Sequence, residues 1–140
     1  MRVHILFILP LVLLSMVSFP IWGLSMDDMV YREDLYYQKF TNVPFTGEIH
    51  EGLEIGALKN GRPDGKWVGY HENGQLSWKG EYQNGELEGQ VVSYHDNGQL
   101  DSKGDYKRSK REGTWVYFSE DGSKIKFLSS VYRNGGKVSE

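Results

Sequence analysis

Residues 70–89 read YHENGQLSWKGEYQNGELEG, and four of these twenty positions are glycine, two of them directly after asparagine. Asn-Gly between short aromatic and β-branched runs is a strong local signal for a tight hairpin turn. The signal then recurs. Residues 89–113, GQVVSYHDNGQLDSKGDYKRSKREG, repeat residues 65–89, GKWVGYHENGQLSWKGEYQNGELEG, almost position for position.

The period is 24, set by Gly65, Gly89 and Gly113, and it generates columns: Trp67, Val91 and Trp115; Tyr70, Tyr94 and Phe118; Asn73, Asn97 and Asp121; Gly74, Gly98 and Gly122. Tyr82 and Tyr106 are continued by Tyr132 once the third unit is given two extra residues. A shortened fourth unit precedes these, because Lys59 to Gly65 matches Gln83 to Gly89. A repeat in this size range signals an array of supersecondary units. The unit is a β-hairpin, since its runs are too short for helices and end at Asn-Gly or Asp-Gly.

Loop length then decides which side chains share a face. A three-residue loop of Glu72, Asn73 and Gly74, with glycine left-handed, pairs Tyr70 with Leu76 and Val68 with Trp78. That register places Val68, Tyr70, Leu76, Trp78 and Tyr82 on one face, and Trp67, His71, Ser77, Lys79 and Glu81 on the other. Gly74, Gly98 and Gly122 are thereby structural turn glycines. One layer cannot bury both of its faces, so Trp67 and Trp115 are expected on an exposed aromatic stripe, with His71 and His95 beside them, as a surface for a protein partner.

The pattern G-x-W-x-x-Y-x-x-N-G-x-L, followed by Lys-Gly, an aromatic, Asn-Gly and Glu-Gly, resembles the MORN repeat in the variant form common in bacterial proteins that carry an antitoxin label. GTWVYFSEDGSKIKF is a weaker third copy and VPFTGEIHEG is similar to a first unit; Arg108-Ser109 and Lys124 depart from the pattern. The resemblance covers roughly residues 43–138. It implies an all-β protein, an elongated single-layer antiparallel meander of hairpins that serves as a scaffold or interaction module, with no enzyme attached and no cofactor.

The first 25 residues stand apart. Met1 and Arg2 precede an apolar run from Val3 to Phe19, Pro20 breaks the helix, and Gly23 and Ser25 are spaced like a cleavage site. This reads as a secretory signal helix, with an uncleaved anchor over residues 3–24 as the competing reading. Either way the remaining chain is expected outside the cytoplasm, periplasmic or secreted. The organisation is thus 1–25 signal, 26–42 amino-terminal cap and 43–140 repeat domain, with units near 43–64, 65–88, 89–112 and 113–138. Cysteine is absent, so stability comes from packing rather than disulfides. Without residues 1–25 the chain has 15 basic and 19 acidic residues, a net charge of -4, which disfavours nucleic acid.

No G-x-S-x-G turn or P-loop occurs, so no catalytic residue is assigned. His71 and His95 share a column about 9.6 Å apart, too sparse for a zinc site that needs three or four ligands; no metal is assigned. Lys107, Arg108, Lys110 and Arg111 form a basic turn, read as a contact for anionic lipid or an acidic partner at a membrane surface.

Overall fold

The computed structural model describes residues 23–139. Short, turn-bounded runs form twelve strands: β1 (Met29–Arg32), β2 (Leu35–Gln38), β3 (Gly47–Ile49), β4 (Glu54–Lys59), β5 (Arg62–Tyr70), β6 (Leu76–Gln83), β7 (Glu86–Leu87), β8 (Gly89–Tyr94), β9 (Leu100–Lys107), β10 (Lys110–Tyr117), β11 (Ser130–Arg133) and β12 (Gly136–Ser139). Ten of them make one antiparallel sheet in the order β12-β11-β10-β9-β8-β6-β5-β4-β3, with β7 on β6. The expected meander of hairpins is therefore present. The expected signal segment, residues 1–25, lies outside the described residues except for Gly23, Leu24 and Ser25.

Those three belong to the fold. The Leu24 carbonyl accepts the amides of His50 (3.0 Å) and Glu51 (3.2 Å), and Ser25 donates from its amide and hydroxyl to the Asp28 carboxylate at 3.0 and 3.1 Å. These bonds hold Asp28 below the ordinary carboxylate range. The segment after Ser25 is more than a strand. β1 and β2 form a separate two-stranded hairpin whose Met29 packs with Ile49, Leu58 and Trp67, joined by Leu24, Met26, Tyr36 and Phe45. The single layer expected from the repeat is thus doubled at its amino-terminal end.

Two turn types alternate. Asn60-Gly61, Asn84-Gly85, Arg108-Ser109 and Asn134-Gly135 all have positive φ at both residues, the requirement of the primed hairpin turn that matches strand twist. Between them lie three-residue loops, with His71 N donating to Gln75 O at 2.8 Å and Gly74 at φ 82°. Gly98 (φ 81°) and Gly122 (φ 82°) repeat this geometry.

The faces differ from the sequence reading. Tyr70 does pair with Leu76, but a bulge between Gly69 and Tyr70 shifts the register, so Gly69 pairs with Trp78, Val68 with Lys79 and Trp67 with Gly80. A one-residue slip moves a strand's side chains to the opposite face. Trp67 therefore joins the inner face with Trp78 and Tyr82. Trp67 and Trp115 are each only 3% exposed, while Tyr70 is 38% exposed. A Cβ on Gly56 would run into the Trp67 indole and one on Gly104 into the Trp115 indole, and one on Gly80 would come within 3.0 Å of Val91. Each unit thus leaves a glycine bare for the large side chain of the next. An indole buried in this way contributes on the order of 4–6 kcal/mol, from roughly 200 Å² at about 25 cal/mol per Å².

Candidate functional site

The residues that recur every 24 positions also bond to one another across units. The Trp67 indole N–H donates to the Ala57 carbonyl at 3.1 Å, and that of Trp115 to the Asp105 carbonyl at 3.0 Å. His71 Nε2 lies 2.8 Å from the Tyr94 carbonyl and His95 Nε2 lies 2.9 Å from the Phe118 carbonyl. Since a carbonyl only accepts, Nε2 carries the proton in both rings. Asn73 and Asn97 donate from their amides to the carbonyls of Asp96 (2.7 Å) and Glu120 (2.9 Å). The turns do likewise, with Asn84 N, Arg108 N and Asn134 N donating to the carboxylates of Asp64, Glu88 and Glu112.

Residues 63–84 and 87–108 match the family model described as MORN repeat variant. These two segments are MORN-variant repeats. No curated protein matches the chain. Such repeats are consistent with a repeat protein for protein or membrane interaction.

In the light of the MORN-variant ladder, the predicted site residues separate. Trp67, Trp115, His71 and His95 were expected on an open partner surface; the indoles are buried and the imidazoles are latches between units. The basic turn also divides. Lys107, Arg108 and Lys110 are exposed, but Arg111 turns back over the rings of Trp115 (4.6 Å), Tyr132 (5.5 Å) and Tyr117 (5.8 Å). Burial opposes its charge there, and the hydroxyls of Tyr106 and Tyr132 and the field of Tyr117 outweigh that, so its pKa is raised. Arg111 is a packing residue rather than a lipid contact. Only the first part of the third repeat unit, beyond the two matched segments, follows the 24-residue pattern. By period, its second strand should open near Lys124, yet β11 begins at Ser130, and the extra residues form a turn at Ile125–Ser129.

Chemistry has one place to be sought. Ser93 Oγ lies 2.6 Å from both Asp101 Oδ2 and Ser102 Oγ, and His95 Nε2 is 3.7 Å from Asp101 Oδ1. The His95 Nε2–H is committed to the Phe118 carbonyl, and the Ser93 hydroxyl is bonded to Asp101 and Ser102 rather than to an imidazole. Among the described residues, no three of His, Asp and Glu are grouped to hold a metal ion.

What the ladder does not use projects outward, and no sequence signal announced it. Phe40 is 106% exposed at φ 65°, a conformation rare for a bulky residue. Its turn is pinned on both sides: Thr41 donates to the Gln38 carbonyl from Oγ1 at 2.8 Å, and Arg32 donates to Thr41 O and Asn42 Oδ1 at 2.9 Å each. Val43 beside it is 72% exposed. At the other end Phe127 is 76% and Leu128 is 44% exposed, on the turn that Tyr117 clamps by accepting Ile125 N at 2.8 Å and donating to Ser129 Oγ at 3.3 Å.

Proposed function

We propose that this chain is an exported, non-catalytic MORN-variant module that binds another protein through side chains projecting from the sheet. Phe40 carries the reading. A phenyl ring held wholly in water at a strained φ costs about 1–3 kcal/mol that glycine would avoid, and strain of this kind marks positions held for a purpose. Phe127 and Leu128 add a second apolar projection on a clamped turn. The amino-terminal apolar run supports export, and the missing serine–imidazole pair supports a binding rather than a catalytic role. Neutralisation of one specific partner, as the antitoxin label has it, would be a case of the same reading.

Affinity capture from a detergent-free extract of the source, with the native chain and with a Phe40→Ser, Phe127→Ser variant, tests it. A protein retained by the native chain and lost with the variant, at equal thermal stability, is the expected result; equal retention by both disproves the role of these residues. One observation favours a membrane surface instead. Lys124 and Lys126 precede Phe127 and Leu128, and basic residues beside inserted apolar ones suit anionic lipid. Salt-sensitive pelleting of the native chain with phosphatidylserine vesicles, lost with Phe127→Ser, would establish that reading in place of the first.

A further inference from the structure

Between the β1–β2 hairpin and the sheet lies an open cleft of about 460 Å³, floored by Tyr31, Tyr36, Pro63 and Tyr82. It is formed where three two-residue turns meet, at Glu33-Asp34, Asn60-Gly61 and Asn84-Gly85. The walls are fixed by the fold. Tyr36 N donates to Gly61 O at 2.7 Å, and a Cβ on Gly61 would come within 2.9 Å of the Tyr36 carbonyl. Tyr82 is held edge-on by Trp67 and Trp78 at 6.1 and 6.4 Å, and Tyr31 packs on Tyr36 at 4.8 Å. Rings already in place lower the ordering cost of binding.

Apart from the Tyr31 hydroxyl, which donates to Asp34 Oδ1 at 3.3 Å, several polar groups of the cleft are unspent. The Arg62 guanidinium, the Asn84 side-chain amide and the hydroxyls of Tyr36 and Tyr82 line it or its floor, and none makes a hydrogen bond or ion pair within the described chain, in contrast to the groups of the ladder. Asp34 and Glu86 share the rim, and neither has a basic partner. A groove of tyrosine rings with free donors and an acidic rim matches one kind of ligand. A polyproline II segment has no internal hydrogen bonds, so its carbonyls seek donors, and its prolyl rings repeat every third residue at about 3.1 Å per residue to fit between aromatic ridges. A basic residue beside the prolines would meet the acids.

We propose that this cleft binds a proline-rich segment carrying arginine or lysine, as the peptide-recognition site of the interaction module inferred above. It rests on that reading but uses different residues, so the two fail separately: capture that depends on Phe40 and Phe127 can persist while the cleft binds nothing.

The test is fluorescence anisotropy of a labelled Arg-Pro-rich peptide, eight prolines between two arginines, titrated with the full chain. Saturable binding is expected, weakened at least about tenfold by Tyr31→Ala and by Glu86→Lys, both exposed positions. A peptide of equal charge with glycine and serine in place of proline is expected to bind at least about tenfold more weakly. No saturation up to about 1 mM peptide-binding chain, equal affinity for the glycine-serine peptide, or indifference to Tyr31→Ala would overturn the proposal. So would saturable binding of a chito- or cello-oligosaccharide at the same tyrosines with none of the peptide, since sugar rings also stack on such faces.

Discussion

Replacing Ser109 tests why one turn between the repeat units lacks Asn-Gly. Arg108 (φ 50°) and Ser109 (φ 58°) both sit in the left-handed region, which costs an L side chain about 1–2 kcal/mol. Ser109 offsets that cost, since its Oγ accepts the Leu87 N–H at 2.9 Å, a bond worth about 0.5–1.5 kcal/mol. One unit earlier the corresponding residues are Gly85 and Pro63; proline has no N–H to satisfy, so glycine suffices there. Ser109→Ala keeps the strain and loses the bond, and should destabilise the chain by about 0.5–1.5 kcal/mol. Ser109→Gly loses the same bond, relieves about 1–2 kcal/mol and gives back about 0.5–1 kcal/mol to the freer unfolded chain, so it stays within about 1 kcal/mol of native. The assay is urea unfolding of the full chain, comparing midpoints at equal slope. Alanine should be the less stable of the two by about 0.5–1 kcal/mol. An alanine variant as stable as the glycine variant would refute the reasoning on strain, and one as stable as the native chain would refute the reasoning on the Leu87 bond.

Three more outcomes follow from the ladder. Gly104→Ala drives a methyl into the Trp115 indole and should cost about 1–3 kcal/mol, whereas Gly80→Ala, tight only against Val91 at 3.0 Å and in ordinary contact with Leu87 and Trp78, should cost about half as much or less by thermal unfolding. His71→Ala removes the latch to the Tyr94 carbonyl and should lower stability by about 1 kcal/mol with partner capture unchanged; lost capture at full stability would restore the imidazole to a binding surface. Asp121 accepts Ser119 Oγ at 2.6 Å and Ser123 N at 2.8 Å, which hold its carboxyl down to about 2. Because the folded pKa lies below the unfolded value of 3.8, the turn's stabilisation is complete above about pH 4 and is lost as pH falls through about 2. Titration of the Asp121 side chain by NMR checks this, and a midpoint near the unperturbed value would show those bonds to be absent.

The period, the hairpins and the three-residue loops were legible because Asn, Gly and aromatic spacing encode local geometry that few other conformations satisfy. The faces were not. They depend on a bulge at Gly69-Tyr70, and a period-2 pattern cannot reveal an extra residue that reverses it. A usable signal was the spacing of Gly56, Gly80 and Gly104 against Trp67, Val91 and Trp115, which marks bare backbone awaiting a large side chain. The cap was half legible. Leu35 to Phe40 alternates like a strand and β2 is there, but its partner β1 is joined by Glu33-Asp34, a turn without the glycine that marks Asn60-Gly61, Asn84-Gly85 and Asn134-Gly135. Histidine latches run from one unit to a carbonyl 23 residues on, which no local pattern specifies. Phe40 is opaque for the same reason, since its exposure is set by how Arg32 and Thr41 hold the turn.

The central claim is that the tryptophans of the repeat column, Trp67 and Trp115, lie inside, leaving recognition to side chains outside the ladder. Acrylamide quenching of a chain in which Trp22 and Trp78 are phenylalanine measures Trp67 and Trp115 alone. Blue-shifted emission with weak quenching, rising to that of free indole only on unfolding in urea, is the predicted result. Quenching close to free indole in the native chain would put both rings on an open face and contradict the account.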